Sequence, residues 1–116
     1  MRDLTELNKL QDYLDERGIK YERHDVVEEV DAYGSIIMLE RHQICAMVDE
    51  EGCWEWDAIC QSGSYGEEYG LLEIYGKIVR PGGDSVEGYL TAEDVIERIE
   101  EVYGGERRDD DNDREQ

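Results

Sequence analysis

The sequence has no phenylalanine, a single proline and no two cysteines at metal-binding spacing. Each gap removes a class of protein. Cys45, Cys53 and Cys60 are an odd set without a CxxC pair, so neither a disulfide framework nor a zinc site is indicated. Reduced, mostly buried thiols suit a reducing compartment. No apolar run approaches the roughly 18–20 residues of a membrane span. The segment Met1-Arg2-Asp3-Leu4-Thr5-Glu6 lacks the apolar stretch of a secretory signal. A soluble, cytoplasmic protein is expected.

What is present in excess is acid. Thirty-two acidic residues face 12 basic ones, for a net charge of −20 over 116 residues. Residues 105–116 hold six acids and three bases, leaving 26 acids and nine bases, a net −17, in the first 104. The charge therefore belongs to the folded part. Between Arg41 and Lys77 there is no basic residue at all, while Asp49, Glu50, Glu51, Glu55, Asp57, Glu67, Glu68 and Glu73 fall there. Such a surface repels nucleic acid and anionic membranes and attracts basic partners.

Length allows one domain. A helix is predicted over Leu4 to Arg17, with Leu4, Leu7, Leu10 and Leu14 on one side, Asp3 as cap, Glu6 in capping-box position and Gly18 as stop. Ile19–Asp25 suggests a strand, Val26–Ser35 an acidic loop, and Ile36–Leu39 a short apolar run of either kind. Gln43–Val48 and Cys53–Cys60, joined by Asp49-Glu50-Glu51-Gly52, read as a hairpin. The glycine-containing loop Gln61–Gly70 leads to a strand over Leu71–Val79 and a turn at Pro81-Gly82-Gly83-Asp84. Thr91 caps a last helix from Ala92 to about Tyr103, Asp94 completes its capping box, and Gly104-Gly105 ends it. The expected fold is α+β: a three- to five-stranded, mostly antiparallel sheet covered by the N- and C-terminal helices. Residues 1–104 form the domain, and 105–116 are expected to be a disordered acidic tail.

Catalytic and metal motifs are not indicated. The glycines at 63, 66, 70 and 76 fit no phosphate-loop pattern, and no basic residue lies between Arg41 and Lys77 to meet a phosphate. His24 and His42 are isolated. A cysteine–histidine pair could be assembled from any of the three thiols, but nothing favours one, and acidic surroundings raise a thiol pKa. Asp109, Asp110, Asp111 and Asp113 lack the glycine and distal glutamate of a calcium loop. No catalytic residue, metal or cofactor is expected.

The remaining signals concern binding. Eight tyrosines and two tryptophans are side chains favoured on partly wet binding surfaces, and Tyr65 and Tyr69 lie in the glycine-containing loop beside Glu67 and Glu68. Glu55 and Asp57 would stand about 6.6 Å apart on one strand face. Glu93, Glu97, Glu100 and Glu101 project from one side of the last helix, with i,i+4 neighbours about 6 Å apart along its axis. Carboxylates at these intervals can occupy sites that lysine and arginine use for phosphates.

The stretch from Trp56 to Gly66, with Gly70-Leu71-Leu72-Glu73-Ile74 and Val86 to Ile96, resembles small uncharacterised acidic proteins of phages and prophages in gut bacteria, over most of residues 4–100. That resemblance implies no activity, but it implies a setting, the bacterial host cell. Size and composition are also similar to those of DNA-mimicking inhibitors of restriction enzymes and CRISPR effectors. The expectation is a nucleic-acid mimic that inhibits a basic DNA- or RNA-binding host defence protein, without binding nucleic acid or membrane itself. The alternative is a phage accessory or assembly protein, without catalytic activity, that binds through the Tyr/Trp-rich loop.

Overall fold

The computed structural model describes residues 3–82 and 85–115, with the backbone alone for residues 32 and 105–115. Along the chain come α1 (Thr5–Arg17), β1 (Tyr21–Ala32), β2 (Ser35–Val48), β3 (Trp54–Ile59), a 3₁₀ turn (Glu67–Tyr69), β4 (Leu72–Gly76), β5 (Val86–Leu90) and α2 (Ala92–Glu115). The five strands form one sheet in sequence order, every neighbouring pair antiparallel. This is the α+β class that the pattern of elements indicates.

The core sits between one face of the sheet and the two helices. Leu7, Leu10 and Leu14 of α1 and Val95 and Ile99 of α2 are fully buried, at the three- and four-residue spacings that place them on one stripe. Against them lie Ile44, its cross-strand neighbour Ala58 and, next across the sheet, Ile74, together with the pair Ala46 and Trp56. Paired residues of an antiparallel sheet share a face, so one register aligns the whole apolar surface.

The helices run parallel to each other. The Glu6 carboxylate accepts the Ala92 backbone N–H at 2.8 Å, and one helical stretch further on Tyr13 Oη donates to Glu100. Glu6 thus caps the start of α2, and not its own helix as its capping-box position predicts. At α1 the Asp3 side chain accepts the Thr5 N–H at 2.9 Å. The Thr91/Asp94 capping box forms as expected, with reciprocal bonds of 3.0 and 3.2 Å.

Three sequence assignments are corrected, and one left open is decided. Residues 26–32 are strand, not loop: β1 pairs with β2 along its full 12 residues. The chain reverses through Tyr33 (φ 53) and Gly34 (φ 79), the two positive φ values of a type I′ hairpin turn. Tyrosine at the first of these positions hides the turn from a reader looking for Asn-Gly. Ile36–Leu39 is therefore strand, the start of β2. The strand expected over Leu71–Val79 stops at Gly76, and a further strand, β5, follows. The backbone of α2 continues past Gly104-Gly105 to Glu115, beyond the expected stop; the acidic tail expected at 105–116 lies outside the residues whose side chains are described.

β3 pairs with β2 only between Gln43 and Val48. The far halves of β1 and β2 therefore form a two-stranded arm outside the body of the sheet. On it Val26, Val27, Tyr33, Ile36, Ile37 and Met38 are all exposed, Ile36 by 72%.

Candidate interaction surface

The outward side of the helix layer is set by what the inward side buries. With Leu7, Leu10 and Leu14 turned to the sheet, α1 presents Asp12 and Glu16 to solvent. With Val95 and Ile99 turned in, α2 presents Glu93 and Glu97. Each pair is four residues apart, about 6 Å along its axis, and packed helices lie about 8–10 Å apart. Because the helices are parallel, the result is two roughly parallel rows of carboxylates. Nearby cations are held by other acids: Lys9 by Glu6 at 3.5 Å and Arg17 by Glu100 at 3.5 Å.

Glu93 and Glu97 therefore stand where the sequence puts them; Glu101, one turn beyond Glu97, is exposed on the same side, and Glu100 turns toward α1. Glu100 accepts the Tyr13 hydroxyl and pairs with Arg17, which ties α2 to α1. Glu101 pairs with Arg80 at 3.2 Å. Asp12 and Glu16 were the residues missed. Their i,i+4 spacing is visible in the sequence, but their place on the outward side of the same layer, about a turn further along than Glu93 and Glu97, follows only from the parallel helix pair.

Glu55 and Asp57 are not a projecting pair. Glu55 reaches α2, where it accepts the Tyr103 hydroxyl at 2.7 Å, with Lys77 at 3.8 Å. Burial and this bond to a carboxylate hold the Tyr103 pKa well above the ordinary tyrosine value. Asp57 is half-buried on the uncovered face of the sheet and accepts the Gln43 amide at 2.7 Å, while its Oδ1 is buried without a described hydrogen-bond partner. Burial raises the Asp57 pKa, the Gln43 bond opposes this, and the Glu73 charge adds to the rise. Cys45, Trp54 and Tyr75 join Asp57 around an open hollow of ≈ 360 Å³.

In the loop, Glu67 accepts the Gly63 N–H, and Glu68 is exposed. Tyr65 is fixed by its backbone, which donates to the buried Glu73 carboxylate at 2.9 Å. Its exposed ring stacks on the exposed ring of Tyr89 with centroids 6.3 Å apart and planes at 19°. Gly88 leaves room for this: a Cβ there would lie 2.4 Å from that of Tyr65. Tyr69 is the more exposed of the two loop tyrosines, at 70%. Tyr65, Tyr69, Glu67 and Glu68 thus share one loop, whose end at Gly70 packs against Asp3 at the start of α1.

The histidines take different places. His24 is exposed beside Glu22 at 3.3 Å. His42 is buried, with Nδ1 2.7 Å from Asp25 and Nε2 3.2 Å from Glu40. Burial pushes the Asp25 pKa up, but bonds to His42 and Arg23 outweigh it and leave the carboxyl below its ordinary value. Cys60 lies across from His42, its N–H donating to the His42 carbonyl at 2.9 Å, and is fully buried. A thiol nucleophile needs access and a base with an available nitrogen; here both ring nitrogens face carboxylates. The group clamps β1 to β2. Among the described residues no cluster of three or more His, Cys, Asp or Glu side chains is placed to hold a metal ion; Asp109–Asp113 lie outside the described side chains.

No family model, curated protein or solved structure matches the chain. Among the described residues, no helix is long and apolar enough to cross a membrane.

Proposed function

We propose that the protein is an acidic decoy that occupies the nucleic-acid groove of a basic host defence protein, of the CRISPR-effector or restriction-enzyme type. It acts in the cytoplasm of a bacterial host and is phage-encoded. The observation that carries this reading is the double row of exposed carboxylates, Asp12 and Glu16 on α1 and Glu93 and Glu97 on α2. Rigid helices fix their spacing, and a net charge of −20 draws a basic partner at long range. The same charge repels nucleic acid and anionic lipid, so the partner is a protein.

The test uses the full chain as bait in a bacterial lysate, eluted in salt steps up to about 0.5 M, where the Debye length is well below 10 Å. The expected result is a basic nucleic-acid-binding protein released in the middle steps and displaced also by added DNA. A partner that DNA does not displace and that persists through high salt contradicts the decoy.

The exposed Tyr65–Tyr89 stack, with Tyr69 beside it in the loop, favours a second reading, a phage accessory or assembly protein bound through aromatic contacts. On that reading Tyr65→Ala or Tyr69→Ala releases the partner, and neutralising Glu93 and Glu97 does not.

A further inference from the structure

The arm of β1 and β2 is not explained by the helix face. A two-stranded ribbon is marginal in water without a layer against it, yet this one exposes Val26, Val27, Ile36, Ile37 and Met38. Its two edges differ. The β1 edge carries Glu22, Asp25, Glu28, Glu29 and Asp31, the charges by which natural sheets block further pairing. The β2 edge carries no charge from Ser35 to Leu39.

That second edge is open. Along β2 the outer backbone groups are satisfied as far as Glu40: Cys60 N–H donates to the His42 carbonyl, and Ser62 N–H to the Glu40 carbonyl. The Ser62 hydroxyl accepts the Glu40 N–H at 3.0 Å. Groups alternate along a strand, so those of Ile36 and Met38 point the same way as those of Glu40 and His42. No described strand pairs with them.

We infer that Ser35–Leu39 is a self-association edge, covered by the same segment of a second copy of this chain in antiparallel, two-fold pairing. Register and charge choose this occupant. With Ile37 opposite its own equivalent, Ile36 of each copy faces Met38 of the other, and every outward N–H and C=O of those two residues finds a partner. Ser35 then faces Leu39, so each cross-strand pair is uncharged. A basic foreign strand would instead set its lysines against Ile36 and Met38, since the acids of the ribbon lie on β1, the far strand from this edge. The two arms would join as one four-stranded layer, and each copy's helix rows would remain outside it.

Like charge opposes the pairing, which gives it a signature. Screening the −20 carried by each copy strengthens association, whereas salt weakens binding to a basic partner. Sedimentation velocity on the full chain, from about 1 to 100 µM in low salt and in about 0.5 M salt, reads this directly. The expected result is a monomer–dimer equilibrium that moves toward dimer as salt rises. Met38→Pro removes an N–H that faces the open edge and none that bonds β1, and it should weaken dimerisation at least about tenfold. Ile37→Lys sets two cations side by side at the two-fold axis and should do the same. Unchanged thermal unfolding of either variant at low concentration separates this from misfolding. A wild-type chain that stays monomeric in both salts overturns the inference, as does a dimer indifferent to both substitutions. So does a monomer whose partner from the lysate is lost on Met38→Pro, which would assign the edge to a foreign strand.

Discussion

β2 runs through two environments within 14 residues. At its body end Ile44 and Ala46 are fully buried beneath the helices, and Cys45, on the opposite face, is buried as well. At its arm end Ile36 and Met38 are exposed, although the side chains there are at least as apolar. Composition is not the cause. The body end has β3 along its edge and a helix layer over its face, and the arm end has neither. Apolar side chains become core only where a second layer meets them, so the body supplies the stability of the fold and the arm supplies surface.

The largest expected effect measures the body. Trp56, 2% exposed within the core cluster, should cost about 3–5 kcal/mol when changed to alanine, read from the urea midpoint of a dilute sample. Ile36→Ser in the arm should move the same midpoint by under about 0.5 kcal/mol. Equal effects would erase the distinction between the two ends.

Next comes the helix layer. Glu100→Gln weakens the Tyr13 and Arg17 contacts between α1 and α2 and should cost about 1–3 kcal/mol. Glu97→Gln, three residues before it and exposed to solvent, should stay within about 0.5 kcal/mol. This pair separates carboxylates that hold the fold from those left for a partner.

A smaller effect depends on pH. The Asp57 pKa is raised above its ordinary 3.8 in the folded protein, so its ionisation opposes folding and stability falls as pH rises through the folded value. Asp57→Asn should therefore raise the melting temperature at pH 7, with the advantage vanishing below pH 3.8. Asp25 and Glu87 are shifted the other way. For Glu87, burial pushes upward but is outweighed by the Arg80 N–H and the Arg98 guanidinium. Their contribution is present above the ordinary values and is lost as pH falls through the folded ones. Melting curves from pH 3 to 8 on both proteins check the two signs together.

The smallest effect belongs to the arm. Tyr33 holds φ 53, a left-handed conformation that costs most side chains about 1–2 kcal/mol and asparagine less. Tyr33→Asn should slow amide exchange along residues 26–39 without slowing it in Ile44 or Ile74, because the arm opens on its own.

How far the sequence could be read follows the same division. The hairpin around Asp49-Glu50-Glu51-Gly52 was legible because Asp49 makes the side-chain bonds to Glu51 and Cys53 that turn-forming aspartates make. The body strands carry the alternation of a half-buried sheet, and α2 carries a capping box. The arm was not legible. Val26-Val27 and Glu28-Glu29 break a period of two, since neither face is buried and nothing selects an alternating pattern. β5 hides behind Gly88 and the positive φ of Tyr89, both of which weaken a strand signal. Strand order was not legible either, and it decides which acids share a surface. Spacing alone groups Glu93, Glu97, Glu100 and Glu101; only the parallel packing of α1 takes Glu100 out of the group and adds Asp12 and Glu16 to the outward side.

The central claim is that those outward rows bind a basic partner. Its most direct measurement compares retention of the lysate partner by the wild type, by a chain carrying Asp12→Asn, Glu16→Gln, Glu93→Gln and Glu97→Gln together, and by Tyr65→Ala. All three should unfold at similar temperatures, since none of the four acids is buried. The account predicts that the neutralised chain loses the partner at low salt while Tyr65→Ala keeps it. Retention by the neutralised chain, with loss on Tyr65→Ala, would contradict the decoy and place the interface at the tyrosine stack.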